Sequence, residues 1–264
     1  MDKQKLIEQI KAKKTFLIIG LDSDANKIPV GLTQFDFNKG IIDATHHLCV
    51  GYKINTAFYE SEGRWGWAEM EKTIDYLNEF YPNHFTIADA KRGDIGNTSD
   101  KYAEAFGDFD SITLNPYMGE DSLKPFFGWG KWGIILALTS NTGSFDFQTM
   151  KVGDRELYKW VIEKSKNWDE KIMYVVGGTR SSHLAEVRQI VPDHFLLIPG
   201  LGAQGADLHE IVKVGITKDC GLLVNASRSI IFASSDPDKY ELYAKIEAES
   251  IQKEMEKILK KYIL

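Results

Sequence analysis

Short runs of apolar residues recur along the chain at 16–21, 49–54, 85–89, 111–114, 133–138, 172–176, 195–198 and 222–224. Each is strand length, and most are apolar at nearly every position rather than at alternate ones. Continuous apolarity marks strands covered on both faces, as in parallel sheets. Between the runs the period changes. Residues 2–14 place Leu6, Ile7 and Ile10 on one helical face, and 38–48, 67–80, 98–106 and 154–168 also read as helices. Weaker helical patterns cover 181–191 and 205–214. From 238 onward Ile251, Met255, Ile258, Leu259 and Tyr262 form one stripe. Asp236-Pro237 supplies a helix start just before it.

The strand starts lie about 20 to 40 residues apart, the spacing of βα units. Eight such units in 264 residues predict an α/β fold, a TIM (β/α)8 barrel forming a single domain over 1–264. An open doubly wound sheet is the alternative, and no G-x-G-x-x-G follows the first strand to support it. No linker or low-complexity tract interrupts the series. The longest irregular stretch, 139–153, is rich in Ser, Thr, Asn and Gly. In a barrel it follows the fifth strand at the C-terminal face, where active-site loops and lids belong.

Composition narrows the function classes. Hydrophobic residues make up 43% and charged residues 27%, ordinary globular usage that argues against disorder. The net charge of −6 argues against a nucleic-acid binder while leaving room for a local basic pocket. Cys49 and Cys220 cannot form a disulfide framework, and both fall in apolar runs as buried thiols. The six histidines are scattered and show no metal-ligand spacing, so no metal site is expected. The apolar run at 16–21 is too short for a signal peptide or a membrane span, which predicts a cytoplasmic protein without membrane contact.

The chemistry is concentrated at predicted strand ends. Asp89-Ala-Lys91-Arg-Gly-Asp94-Ile-Gly-Asn-Thr98 starts at the last residue of the third run. Strand periodicity places Asp89 and Lys91 on one face with Ala90 turned away, and Gly93 and Gly96 permit a tight turn carrying Asp94. Ionisable groups at an apolar strand end are costly to bury unless they pair. Lys53 interrupts the second run near its end and brings another cation beside Asp89. The signs then alternate: Lys53, Asp89, Lys91, Asp94. Flanking carboxylates favour the charged form of Lys91 and keep it a proton donor. Asp22 closes the first run, where a carboxylate can accept from substrate hydroxyls or serve as a turn residue. After the seventh run, Pro199-Gly-Leu-Gly-Ala-Gln204-Gly205 can expose backbone N–H groups to an anion, with Gln204 adding an amide donor. The eighth run ends in Asn225-Ala-Ser227-Arg228-Ser229, and Arg228 can grip phosphate bidentately. Loops after strands seven and eight are the usual phosphate site of such a barrel.

These residues resemble the orotidine 5′-phosphate decarboxylase family, in its longer bacterial branch with Asp-Ala-Lys-Arg-Gly-Asp-Ile-Gly and an extended loop opening Thr-Ser-Asn. Here those motifs stand at 89–96 and at Thr139-Ser140-Asn141, and the loop at 199–205 resembles the family's phosphate loop. The motifs fall in the family's order and span most of the chain. The resemblance implies a barrel homodimer with active sites at the subunit interface, converting orotidine 5′-monophosphate to UMP and carbon dioxide, the last step of de novo UMP synthesis, with no metal or organic cofactor. By the same likeness Lys53, Asp89, Lys91 and Asp94 form the catalytic network. Asp94 and Thr98 reach the partner's site, Asp22 and Thr98 contact ribose, Ser140 the pyrimidine, and Gln204 and Arg228 the phosphate. Asn97, Asn115 and Asn141 receive no role. The run Val175-Val-Gly-Gly-Thr-Arg180 departs from the family in its second glycine. Two alternatives stay open: a related sugar-phosphate decarboxylase or epimerase of the same superfamily, some of which use a divalent metal, and a catalytically inactive nucleotide-binding barrel.

Overall fold

In the computed structural model, which describes residues 1–178, 181–201 and 207–264, eight parallel strands close into a barrel in chain order. They are β1 (Leu17–Gly20), β2 (Gly51–Asn55), β3 (Phe85–Arg92), β4 (Ser111–Leu114), β5 (Trp132–Leu138), β6 (Ile172–Val176), β7 (Leu196–Pro199) and β8 (Leu222–Ala226). Helices separate them, as the alternation of the pattern predicts. The register is in phase where it matters below: Gly20 lies opposite Lys53 between β1 and β2, and Asn55 opposite Asp89 between β2 and β3.

By packing, the barrel resolves into two compact units. The first comprises Met1–Ala90, Asp108–Asp110 and Asn225–Leu264. Its core is built from Phe16, Ile18, Tyr52, Ile54, Phe85 and Ile87, each fully buried. The helix Lys3–Lys13 starts where Asp2 accepts from Lys5 N at 2.8 Å and buries Leu6, Ile7 and Ile10. The helix Gln34–Thr45 begins in a reciprocal capping box between Thr33 and Asp36. The final helix, Tyr240–Tyr262, buries Met255, Ile258 and Leu259 of the expected stripe, while Tyr262 stays exposed beyond it.

The second unit comprises Lys91–Gly107 and Ser111–Val224. Ile134, Ile135, Met173, Tyr174 and Leu196 are buried in its core. The stretch expected as an irregular loop after β5 carries local structure of its own. A short helix, Ser144–Phe147, precedes a two-stranded antiparallel ribbon of Lys151–Val152 with Arg155–Glu156. Both cysteines are buried thiols. Neither lies within a strand. Cys49 precedes β2, and Cys220 sits in a tight turn at φ 71° before β8. Apolar character therefore identified their burial and not their backbone.

Candidate active site

Lys53 is the centre of the charged cluster. It lies inside β2, 5% exposed, where an isolated ammonium would be strongly disfavoured. Its Nζ donates to Asp89 Oδ2 at 3.0 Å and to Asp22 Oδ1 at 3.3 Å. Burial alone would lower the lysine's pKa, but the two carboxylates outweigh it and raise the pKa above its ordinary value. Lys53 is thus held as a cation by a bridge between two strand ends.

The carboxylates are placed by the backbone around them. Asp22 follows β1 by two residues and is flanked by tethers on both sides. Leu21 O accepts from Tyr59 Oη at 3.0 Å, and Ser23 O accepts from Gln34 Nε2 at 2.7 Å. The Ser23 hydroxyl donates to Asn38 Oδ1, while Asn38 Nδ2 donates to Tyr59 Oη at 2.8 Å and to Thr73 Oγ1 at 3.0 Å. This buried polar network fixes a loop that would otherwise be free to swing. Asp89 sits on β3, with its carbonyl accepting from Thr56 N.

β3 runs three residues beyond the apolar run and includes Lys91, as its strand placement requires, and Arg92. The two-residue alternation does not persist through Lys91, which takes a left-handed conformation at φ 50°. Its backbone N donates to Thr113 Oγ1 at 2.9 Å, which holds the turn, and its side chain is exposed. A non-glycine residue at positive φ is uncommon, and such residues cluster at functional sites. Asp94 is half-buried and accepts from Ile95 N at 2.8 Å. Of the two glycines expected in this turn, Gly96 has φ 53° and opens the helix Gly96–Ala105. Gly93 is needed for a different reason: a Cβ there would lie 2.8 Å from Asn115 O. Thr98 is exposed in the first turn of that helix.

Ser140 follows β5 and lines a small pocket with Thr139, Asn141, Thr149, Gly177 and His183. Gln148 fastens this loop. Its Oε1 accepts from Thr139 N at 2.7 Å and its Nε2 donates to Thr139 Oγ1 at 2.9 Å. Gly177 lets the loop approach, since a Cβ there would lie 3.1 Å from Ser140 Cα. Arg228 is exposed and opens the short helix Arg228–Ile231 directly after β8. Gln204 lies outside the described residues, as do Thr179 and Arg180 of the departing run.

The structure brings Asp22, Lys53 and Asp89 into one bonded cluster. The pairing of Asp22 with Lys53 was not foreseen, because no sequence rule gives the reach of a lysine across two strand ends. Asn225, in the motif that ends the eighth run, carries a signal of the same kind as Lys53. It is buried in β8, a polar residue interrupting an apolar strand. No group of three or more His, Cys, Asp or Glu side chains among the described residues is arranged to hold a metal ion.

A model of the orotidine 5′-phosphate decarboxylase / HUMPS family matches residues 15–243. The chain belongs to this family. An orotidine 5′-phosphate decarboxylase of Christiangramia forsetii is 56% identical, over 99% of this chain and the whole of that protein. One from Flavobacterium johnsoniae is 54% identical over 98% of both chains. Among solved structures, Leishmania donovani OMP decarboxylase is 34% identical with a TM-score of 0.79, covering 96% of this chain and 99% of that one. The orotidine 5′-phosphate decarboxylase family match spans β1 to β8, so every strand-end residue described above falls within it.

Proposed function

We propose that the chain decarboxylates orotidine 5′-monophosphate to UMP and carbon dioxide, the closing step of UMP synthesis, with Lys91 as charge stabiliser and proton donor. The observation that carries the reading is Lys53 locked between Asp22 and Asp89 in a chain 56% identical to an orotidine 5′-phosphate decarboxylase. A structural ion pair needs one carboxylate. Here two are drawn to one buried ammonium, and a second lysine follows two residues after Asp89 on the same strand.

In the reaction the bond between the ring carbon and the carboxylate breaks, and its electron pair stays on the ring carbon. Carbon dioxide leaves. Lys91 stabilises the developing negative charge and delivers a proton from Nζ to that carbon, then recovers one from solvent. A pre-positioned cation at the point where charge develops is among the largest catalytic effects available. Asp89, fixed by Lys53, sits beside the substrate carboxylate and orients Lys91. Asp94 completes the charged network, Asp22 and Thr98 hold ribose, and Ser140 contacts the pyrimidine. Arg228 and Gln204 bind phosphate, so that binding energy far from the reacting carbon lowers the barrier. The chemistry uses no metal or organic cofactor.

We read the whole chain, 1–264, as one barrel domain acting as a homodimer, with Asp94 and Thr98 reaching the partner's site. Ile95 and Tyr117 support this, being 58% and 90% exposed apolar side chains around the turn that carries Asp94. The enzyme acts in the cytoplasm, without membrane or nucleic-acid partners. Among the described residues no helix is long and apolar enough to cross a membrane.

The test is to mix EDTA-treated protein with orotidine 5′-monophosphate and follow its ultraviolet absorbance. The expected outcome is rapid loss of absorbance with UMP formed. Turnover only of a sugar-acid phosphate, restored by magnesium, would establish the sugar-phosphate alternative. Tight UMP binding without turnover would establish an inactive nucleotide-binding barrel.

A further inference from the structure

Asn225 stands near the C-terminal end of an otherwise apolar strand, 5% exposed, and its side-chain oxygen has no hydrogen-bond partner among the described residues. A buried amide carbonyl without a donor costs free energy comparable to a lost hydrogen bond, so such a group calls for an explanation. Arg188, whose Nε is also unpaired, donates through its other nitrogens to the carbonyls of Val191, His194 and Gly221, and is explained as a structural clamp. Asn225 has no such explanation.

Its position points to the site. A Cβ on Gly20 would lie 3.1 Å from Asn225 Oδ1. Gly20 is in register with Lys53, and partners in a parallel pair direct their side chains to the same face. On that face Lys53 reaches Asp22 and Asp89. The oxygen therefore lies over Gly20, on the face of the charged cluster. Two residues beyond Gly20 on the chain is Asp22, and three beyond Asn225 is Arg228.

The chemistry selects the ligand group. An amide oxygen only accepts hydrogen bonds, so it has no use for a phosphate or carboxylate oxygen and fits a hydroxyl donor. In a nucleoside monophosphate the hydroxyls lie on the ribose, between the phosphate assigned to Arg228 and the base. We propose that Asn225 is a further substrate-binding residue that accepts a hydrogen bond from a ribose hydroxyl of the bound nucleotide. This rests on the function proposed above. A water hydroxyl offers the same chemistry, and the experiment separates the two sources.

Binding of UMP, 2′-deoxy-UMP and 3′-deoxy-UMP is measured by calorimetry for the unaltered protein and for Asn225→Ala. Asn225→Ser serves as a milder variant should alanine impair folding, which circular dichroism checks. We expect one deoxy analogue to bind the unaltered protein about tenfold more weakly than UMP. Asn225→Ala should bind UMP at that weaker level and lose nothing further when the same hydroxyl is removed. Equal UMP affinity in both proteins would overturn the proposal. So would a loss in the variant that simply adds to the loss from either deoxy analogue, which would assign the oxygen to water. If the unaltered protein neither binds UMP nor turns over orotidine 5′-monophosphate, the function fails and takes this inference with it. If it does both and the coupling is absent, only the ribose contact fails.

Discussion

Two ammonium groups are assigned different work in the proposed mechanism, and substitution should separate them. Lys53 neutralises two half-buried carboxylates, so Lys53→Met removes the ammonium that Asp22 and Asp89 share. Breaking a buried charge pair by removing one partner costs about 3 to 5 kcal/mol. With the two aspartate side chains 18% and 13% exposed, a loss near the lower end, about 3 kcal/mol, is expected in urea unfolding, together with loss of turnover. Lys91 is exposed, and its backbone is held by Thr113. Lys91→Ala should therefore leave the urea midpoint nearly unchanged and UMP affinity largely intact while removing nearly all turnover. Turnover retained within tenfold would rule out the proton-donor role. This difference between the lysines was partly legible in the sequence. Both stand out as charges at apolar strands, but nothing in the sequence says that one is buried inside its strand and the other exposed on a left-handed turn.

At the level of elements, β1 and β8 show how backbone proximity selects residue types. A Cβ at Gly20 would lie 2.7 Å from Ser227 Cβ, too close for any rotation to relieve. The Ser227 hydroxyl also donates to Gly20 O at 3.0 Å, so neither partner can retreat without breaking that bond. Gly20→Ala is expected to cost about 1 to 3 kcal/mol by overpacking, measured as a lowered urea midpoint, and to reduce turnover by displacing the Asp22 loop. An unchanged midpoint would mean that the strand ends shift freely. The sequence reading placed the strands correctly because continuous apolarity is a strong signal. The third apolar run stops at Asp89, whereas strand pairing follows backbone hydrogen bonds and continues to Arg92. The stretch 139–153 shows no period in the sequence because a four-residue helix and a ribbon of two-residue strands are too short to produce one.

For the molecule as a whole, a buried histidine is expected to contribute to acid sensitivity. Lys13 donates to His46 O at 2.8 Å and Cys49 O at 2.9 Å, with its Nζ against the ring of His84. Burial, reinforced by the Lys13 charge, lowers the pKa of His84 from 6.5 to about 4. The unfolded chain thus takes up this proton near pH 6.5, while the folded protein resists it until about pH 4. Stability from this group is present above pH 6.5 and is lost as pH falls through that window, by roughly 3 kcal/mol at its low end. His84→Asn should show a flatter decline in unfolding free energy between pH 7 and pH 4 than the unaltered protein. Parallel declines would place the acid sensitivity elsewhere.

The sequence by itself determined the barrel, because runs of apolar strands alternating with helical stripes at βα spacing leave few ways to bury both. It also determined the identity of the charged residues at the strand ends, since a polar group in an apolar run stands out against the cost of burying it. Tertiary structure decided the partnerships. It joined Lys53 to Asp22 as well as Asp89, gave Lys91 a left-handed turn, and set Asn225 over a glycine. Hydrophobic periodicity is a property of neighbours along the chain. A bond between strand ends depends on register and side-chain reach, which exist only once the barrel has closed.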